Sequence, residues 1–491
     1  MVFSQPTFLF LFLPIVLGLY ALAPRKTKNS LLLAASLLFY SWGEEWLVLV
    51  IIASIGVNYG FGRWLASLGA GERDPSEESR RDAPANLGRQ RWIVALAVTF
   101  NLALLIALKY EAWLLNLIAE PMAHLGLGYE LRKNSPPPIG ISFFTFQAIS
   151  YVVDVYRGHA KAQRRLMDFA LYIALFPQLI AGPIVRYRDI ARQIESRTTR
   201  FEDFTEGCRR FIFGLAKKVV IADTLISAAQ AIFEIPADEV TMPLAWASLV
   251  LYAVHLYFDF SGYSDMAIGL GRMFGFRLLE NFDYPFICTS VTDFWRRWHI
   301  SLSTWFRDYL YIPLGGNRKG TVRTYFNLVT VFFLCGLWHG AAGIYIFFGL
   351  AHGLLLAMER VGLGKALKRL PRPLRHVYAL FTVGLTYTIF RSADLPAAME
   401  NLAALFAPGA GDSLRHPLAM YVDTKTLGLT LFGILLSMPV YPLYLRWRAR
   451  AVPTLGYVGD AAECAFLGLA LIATWMLLSV HTFTPFLYFR F

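Results

Sequence analysis

Charged residues are scarce in this sequence. Asp, Glu, Lys and Arg together make up 16% of its 491 residues, whereas a soluble protein carries about 25%. A soluble chain of this length divides into several domains, and each domain needs a polar surface. The composition does not supply that much polar surface, so we do not expect a soluble multidomain protein.

Cysteines are equally few, and their spacing excludes the usual uses of a cysteine cluster. The sequence has four, far apart and without a Cys-x-x-Cys pair: Cys208, Cys288, Cys335 and Cys464. Neither a disulfide framework nor a cysteine-based metal site has such spacing. We interpret the four as small apolar side chains in the interior, and we predict no bound metal.

Acidic residues are outnumbered by basic ones, and the net charge is +12. A nucleic-acid-binding protein gathers its basic residues on one face of a soluble module. Here they form short runs between apolar stretches, as in proteins of an inner membrane. The expected partner is therefore a lipid bilayer and not a nucleic acid.

Apolar residues are abundant. Hydrophobic residues make up 56% of the chain, and its mean hydropathy is +0.47. Because a membrane helix needs about 20 apolar residues, the sequence predicts an all-α polytopic integral membrane protein. We expect about 11–13 membrane helices, plus re-entrant and interfacial helices. The predicted crossings, about 12, are 8–22, 30–42, 46–66, 91–119, 139–156, 210–233, 244–268, 326–338, 344–358, 377–390, 427–445 and 461–480.

Basic residues orient these spans. When the crossings alternate, nearly every Lys and Arg cluster falls on one side, which marks that side as cytoplasmic and places both termini outside. The proline-broken stretch 169–183 is predicted to be re-entrant. We expect one membrane domain over 1–491, with a flexible cytoplasmic loop at 71–91. Residues 272–323 are predicted to form a cytoplasmic-side re-entrant and interfacial region, and 485–491 an outward-facing aromatic tail.

Polar side chains within three tracts are candidates for a site, because a polar group at membrane depth is costly and usually functional. The tract 257–265 carries Asp259 and Asp265. The tract 293–309 alternates Trp with Arg around His299, which is also typical of an interfacial helix whose long side chains reach the headgroups. The third tract, 335–341, places His339 in an apolar run.

His339 has two interpretations from the residues alone. It could bridge helices through a hydrogen bond. Alternatively it could act on a ligand, for which Gly336, Gly340 and Ala341 leave room. His352 is a further candidate. The three histidines suit a metal by ligand type, but no carboxylate or cysteine completes a recognisable spacing.

A series of motifs follows one order along most of the chain: 138–147, 151–158, 176–184, 257–265, 281–286, 294–311, 313–316 and 337–340. Together they resemble the membrane-bound O-acyltransferase family, in the branch whose members acetylate alginate, cellulose or peptidoglycan or transfer D-alanine to teichoic acids. The resemblance implies helices around a funnel-shaped cavity. It also implies that His339 matches the family's essential histidine and His299 its second conserved polar position.

Further expectations follow from that resemblance. It implies transfer of acetyl groups from cytoplasmic acetyl-CoA, a substrate and not a permanently bound cofactor, for O-acetylation of an exported polysaccharide, alginate above all. It implies a bacterial inner-membrane location. The implied partners are a periplasmic SGNH-type acetyltransferase and the remaining exopolysaccharide modification machinery.

The chemistry assigns roles to these residues. An imidazole with an unperturbed pKa of about 6.5 suits a general base, so we predict His339 as the base. We predict that His299 orients the acyl group or donates to the oxyanion. Basic side chains on the inner side could hold coenzyme A phosphates or could equally snorkel. The predicted substrate-binding residues are Trp338, Trp298, Arg296, Arg297, Asp259, Asp265 and Asn281.

Tyr488 lies in the aromatic tail and is the last candidate. Such a tail is ordinarily a membrane-interface anchor. It is also similar to the terminal aromatic motif of a small partner protein in the D-alanine system. Our hypothesis is that the Tyr488 hydroxyl accepts acetyl from the thioester and passes it on.

Other functions stay open at this point. The same fold could transfer another acyl group or serve another polymer. A transporter that moves an acyl or glycan intermediate without covalent chemistry would also have broken helices. A scaffold for a secretion complex is a third alternative, and it predicts that neither histidine matters.

Overall fold

The computed structural model describes residues 1–71, 86–124, 137–450 and 454–480. Over these residues the regular structure is helical, with short 3-10 and π-helical turns and no β-strand. Helices suit a membrane because their internal hydrogen bonds satisfy the backbone where lipid offers no partner. The predicted all-α membrane fold is confirmed.

The described residues divide into two units. The first comprises Met1–Cys208 and Ala267–Leu279, and the second comprises Arg209–Met266 and residues 280–480. The helices up to residue 195 are α1 (Leu13–Leu22), α2 (Lys28–Glu44), α3 (Val48–Ser67), α4 (Leu87–Lys109), α5 (Glu111–His124), α6 (Ile141–Tyr156), α7 (Leu166–Ala174), α8 (Phe176–Leu179) and α9 (Tyr187–Glu195).

Within the first unit, α6 is buried along nearly its whole length. The turn before it requires glycine, because Gly140 has φ 76° and a Cβ there would lie 2.5 Å from the Leu179 carbonyl oxygen. The buried amides of Asn58 and Asn101 hydrogen-bond α3 to α4. Such amide pairs hold helices together in membranes, where apolar packing alone is weakly directional.

The remaining helices lead to the polar tracts of the second unit. They are α10 (Phe201–Ala216), α11 (Asp223–Phe233), α12 (Met242–Met273), α13 (Val291–Arg297), α14 (Ile300–Phe306), α15 (Thr321–His339), α16 (Gly343–Met358), α17 (Gly364–Arg369), α18 (Arg372–Arg391), α19 (Leu395–Ala404), α20 (Leu418–Tyr421), α21 (Thr424–Leu436), α22 (Val440–Arg450) and α23 (Thr454–Val480).

Six helical stretches of the described chain are long and apolar enough to cross a membrane, or seven if the bent pair α21 and α22 forms one span. This is fewer than our predicted crossings for two reasons. One stretch, Lys28–Ser67, contains both α2 and α3, which meet at Glu45 with φ 48°. Shorter apolar helices such as Ile141–Tyr156 fall below the length required. The number of crossings stays a prediction.

Several predicted boundaries were wrong. The loop predicted at 71–91 ends earlier, because α4 already begins at Leu87; residues 72–85 lie outside the described chain. The predicted span 91–119 is interrupted at Tyr110, where α4 ends and α5 follows. The predicted span 427–445 is two helices that meet at 59°. Average hydropathy is insensitive to such breaks, since an apolar residue at a bend scores like one in a straight helix.

Candidate active site

His299 sits at a sharp turn between two short helices. It follows α13 and its linking residue Trp298, and it precedes α14. Its backbone has φ 45°, a left-handed conformation that only a few per cent of non-glycine residues adopt. Its side chain is fully buried. Strain of this kind is often retained at functional sites, and here it directs an imidazole into the interior.

Asn281 fixes the orientation of that imidazole. The Oδ1 atom of Asn281 lies 3.1 Å from Nδ1 of His299. The same oxygen accepts hydrogen bonds from the backbone N–H of Ser301 at 3.2 Å and from its hydroxyl at 2.9 Å. The Nδ2 group donates to the Ser264 hydroxyl at 3.1 Å. Because a carbonyl oxygen only accepts, His299 carries a proton on Nδ1.

The protonation state of Nε2, the other ring nitrogen of His299, follows from the charge of the ring. Burial, and next the nearby His339 imidazole, lower the pKa of His299 well below its usual range. A neutral ring that is protonated at Nδ1 has a lone pair at Nε2. His299 therefore presents a hydrogen-bond acceptor at Nε2. It does not present the donor that stabilisation of an oxyanion requires.

His339 is the last residue of α15 and is buried. Its ring packs among aromatic rings, with centroid distances of 5.0 Å to Trp338, 5.8 Å to Phe348 and 5.5 Å to Phe390. Trp338 also lies 6.0 Å from the ring of His299. The two predicted histidines thus flank one indole inside the second unit.

The glycines beside His339 do not have the role that we predicted. A Cβ on Gly336 would overlap the Tyr345 carbonyl oxygen, and one on Gly340 would overlap the Tyr345 ring. Gly349 on α16 approaches the Phe332 carbonyl in the same way. Small residues here let the backbones of α15 and α16 pack closely. The prediction that Gly336 and Gly340 leave room for a ligand was wrong.

Comparison with known proteins identifies the family to which the chain belongs. The model of the membrane-bound O-acyltransferase family matches residues 163–364. A Pseudomonas putida protein named probable alginate O-acetylase is 42% identical, over 100% of both chains. The chain belongs to the membrane-bound O-acyltransferase family. It is therefore an O-acyltransferase and a multi-pass membrane protein.

More distant relatives also align with the chain. The peptidoglycan O-acetyltransferase of Helicobacter pylori is 33% identical over 85% of this chain and 81% of its own length. The teichoic acid D-alanyltransferase of Bacillus subtilis is 32% identical over 44% of this chain and 58% of its own. The resemblance inferred from the motifs is confirmed.

Other predicted site residues of this acyltransferase are held in ion pairs. Asp259 lies 2.7 Å from Nζ of Lys218. Asp265 lies 2.9 Å from a guanidinium nitrogen of Arg210 and 2.6 Å from Nζ of Lys217. These pairs account for both carboxylates as neutralised charges between helices. A role for either in substrate binding stays a prediction.

The two arginines predicted to bind substrate, Arg296 and Arg297, differ in ion pairing and exposure. Arg297 pairs with Asp283 at 3.1 Å and with Asp293 at 3.0 Å, so its guanidinium is already used within the fold. Arg296 is exposed and remains the better candidate for a phosphate. Trp298 is buried among aromatic rings and stacks on Phe294 at 5.5 Å. Its predicted contact with substrate also stays a prediction.

Of the four cysteines predicted to be interior, Cys288 and Cys335 are buried, whereas Cys208 is half-buried and Cys464 is exposed. Burial raises the pKa of the Cys288 thiol to about 12, and the side chain is fully buried. Since the thiolate is the reactive form, Cys288 is a poor acyl carrier. Among the described residues no group of His, Cys, Asp and Glu could hold a metal ion.

Glu359 is a buried residue that the sequence analysis missed. Its carboxylate accepts hydrogen bonds from the backbone N–H groups of Val291 (2.7 Å) and Thr292 (2.9 Å). The Thr292 hydroxyl donates to it at 2.6 Å and the Tyr378 hydroxyl at 3.3 Å. Glu359 thereby anchors the start of α13, the helix that leads to His299. An acidic residue at the end of an apolar run was the available signal.

Replacing Glu359 with alanine is expected to lower both stability and activity. The change leaves buried N–H and hydroxyl donors without an acceptor, at a cost of about 1–3 kcal/mol. We expect a fall of several degrees in the midpoint of thermal unfolding of the purified protein. Alanine at Glu400, which is exposed on α19, is the matched control and should leave the midpoint within a degree. Equal midpoints for the two variants contradict the anchoring role.

Tyr488 and its aromatic tail, 485–491, lie outside the described residues. The sequence hypothesis about them therefore stands as it was made.

Proposed function

We propose that this protein transfers acetyl groups from cytoplasmic acetyl-CoA across the bacterial inner membrane, for O-acetylation of exported alginate. The likeness to a probable alginate O-acetylase over the full length of both chains carries the proposal. The buried histidine pair supports it, because two imidazoles beside one indole suit acyl transfer to a hydroxyl. Both termini outside, a periplasmic SGNH-type acetyltransferase and the polysaccharide modification machinery belong to the same proposal.

His339 is the proposed general base. The attacking hydroxyl oxygen forms a bond to the thioester carbonyl carbon while an imidazole takes the hydroxyl proton. The resulting tetrahedral intermediate collapses with loss of the sulfur, and the same proton passes to the leaving thiolate. The products are an ester and coenzyme A, and the imidazole returns to its neutral form. The attacking hydroxyl gives its single proton to His339, so the lone pair that His299 presents at Nε2 is available to a different donor, an N–H of the acyl donor or another O–H of the acceptor. Of the two roles predicted for His299 from sequence, this favours orientation of the substrate over donation to the oxyanion.

Purified protein in lipid nanodiscs, given acetyl-CoA labelled in the acetyl group, tests this proposal. We expect label to move to the protein or to an added alginate oligosaccharide, with release of coenzyme A thiol. The matching test in cells is restoration of acetyl esters to alginate in a strain without its own membrane acetylase. Absence of transfer from acetyl-CoA in both settings contradicts the proposal.

A Tyr488→Phe variant tests the proposed route of the acetyl group. If the phenol accepts acetyl, the variant loses the nucleophile and keeps the ring, so ester formation on the polymer should fall at least tenfold. A phenol is a good leaving group, which makes onward transfer to a sugar hydroxyl favourable. The label on wild-type protein should map to Tyr488 by mass spectrometry. Wild-type polymer acetylation by the variant shows that the tail is an interface anchor only.

A second candidate keeps the chemistry and changes the acceptor or the acyl group. It is favoured by relatives whose names specify peptidoglycan O-acetylation and teichoic acid D-alanylation. Ester analysis of alginate, cellulose and peptidoglycan from the same complemented strains separates the acceptors. A D-alanyl carrier offered in place of acetyl-CoA separates the acyl groups.

A further inference from the structure

His352 is a second buried imidazole close to the candidate site. It lies on α16 and is fully buried. Its ring is 4.7 Å from Phe348 and stacks nearly parallel to Phe294 at 6.4 Å. Phe348 in turn lies 5.8 Å from the ring of His339. One phenylalanine ring therefore separates His352 from the proposed base.

Trp295 determines which nitrogen of His352 carries a proton. The indole Nε1–H donates to Nδ1 of His352 at 3.2 Å. An indole nitrogen is only a donor, so Nδ1 must accept and holds no hydrogen. The proton of this imidazole is therefore on Nε2, and the ring is neutral.

The Nε2–H group of His352 has no hydrogen-bond partner in the described part of the chain. A buried donor without an acceptor is unfavourable, and native proteins nearly always satisfy such groups. A water molecule is a poor solution, because a buried water needs two to four polar partners. The aromatic rings around His352 come from Phe294, Trp295, Phe332 and Phe348. The phenylalanines supply no such partner, and the indole N–H of Trp295 is already donated.

We propose that Nε2–H of His352 donates a hydrogen bond to a substrate oxygen bound beside His339. The inference rests on the proposed acyl transfer and adds a binding residue to it. The oxygen that it recognises is a carbonyl or hydroxyl oxygen. Two sources have this chemistry: the thioester or amide carbonyls of the acyl donor, and the hydroxyl of the acceptor. His352 would position substrate, and His339 would carry the chemistry.

Substitution of His352 by asparagine and by glutamine distinguishes the contribution of Nδ1 from that of Nε2. In His352→Asn the side-chain oxygen can still accept from Trp295, but nothing occupies the position of Nε2. In His352→Gln the longer side chain returns an N–H donor near that position. We expect kcat/KM for acetyl transfer to fall roughly tenfold to hundredfold in His352→Asn, as loss of one substrate hydrogen bond implies. We expect His352→Gln to recover most of that loss.

The Michaelis constants identify the source of the oxygen. A rise in KM for acetyl-CoA alone assigns the bond to the acyl donor. A rise in KM for the alginate oligosaccharide alone assigns it to the acceptor. Either result supports the inference. Unchanged kinetic constants in His352→Asn, with or without a lower midpoint of thermal unfolding, overturn it and leave His352 a packing residue.

A buried histidine elsewhere in the same unit provides the control. His255 on α12 is nearly fully buried, and its Nδ1 lies 2.9 Å from the Ala222 carbonyl oxygen. His255→Asn should keep the kinetic constants of the wild type per mole of folded protein. If His352→Asn does not fold, His352→Phe is measured instead. It keeps a ring of similar size among the aromatic side chains but has no N–H donor, so it should show the same loss, and wild-type constants in it overturn the inference. Failure of the proposed function is a different result, because the wild type itself would then transfer no acetyl group.

Discussion

Alanine in place of His339 is expected to abolish acetyl transfer while the protein still folds. General base catalysis contributes about 10²- to 10⁴-fold to such reactions, so polymer-bound acetyl ester should fall below detection in cells. With purified protein, the rate of label transfer from acetyl-CoA should fall by a factor in that range. The side chain contacts rings on α15, α16 and α18, and its truncation leaves a small apolar cavity. That cavity should lower the unfolding midpoint only moderately.

Two controls separate lost chemistry from lost structure. His255→Asn changes a histidine of similar burial and should retain activity. His339→Gln keeps much of the side-chain volume but has no basic nitrogen, so it should be as inactive as the alanine variant and more stable. A transporter without covalent chemistry predicts instead that activity declines in proportion to the loss of folded protein. A scaffold predicts wild-type ester content, and that result would remove His339 from the mechanism.

The helices were largely predictable from hydropathy, and the breaks between them were not. The predicted spans 139–156 and 344–358 correspond to α6 (Ile141–Tyr156) and α16 (Gly343–Met358) within a few residues. By contrast, the interruption at Tyr110 and the bend between α21 and α22 leave no mark in average hydropathy. Such bends depend on packing between residues that are distant in sequence. A short window does not contain that information.

The candidate site was predictable as residue types but not as contacts. Polar groups in apolar surroundings singled out His299 and His339, and the family resemblance added Asn281. The glycines next to His339 were misread, because Gly336 permits close helix packing as readily as it permits ligand access, and only the position of α16 decides between the two. The tautomer of His299 also depends on a partner 18 residues away. The choice between the two predicted roles of His299, orientation of the acyl group and donation to the oxyanion, therefore needs that partner and is not contained in the sequence motif.

The contact between Asn281 and His299 leads to a second prediction, on the pH dependence of the rate. Asn281→Ala should lower the rate of transfer about tenfold to hundredfold, since it frees an imidazole that one amide holds in place. In Asn281→Asp a carboxylate faces Nδ1, which keeps the ring oriented. Its negative charge favours the protonated imidazole and raises the pKa of His299.

The direction of the pH effect shows whether the His299 imidazole takes part in the transfer or has only a structural role. His299 accepts at Nε2 only while it is neutral, so activity is lost as pH falls through its pKa. In the wild type that pKa is well below its usual range, so protonation of His299 should not limit the rate above about pH 6, near the unperturbed value for histidine. In Asn281→Asp the acid limb should move to higher pH, by an amount that initial rates between pH 5 and 8 will resolve. The alternative result is a lower rate for Asn281→Asp at every pH, with the acid limb at the same pH as in the wild type. That result means that Asn281 supports the fold around His299 and that His299 takes no part in the transfer.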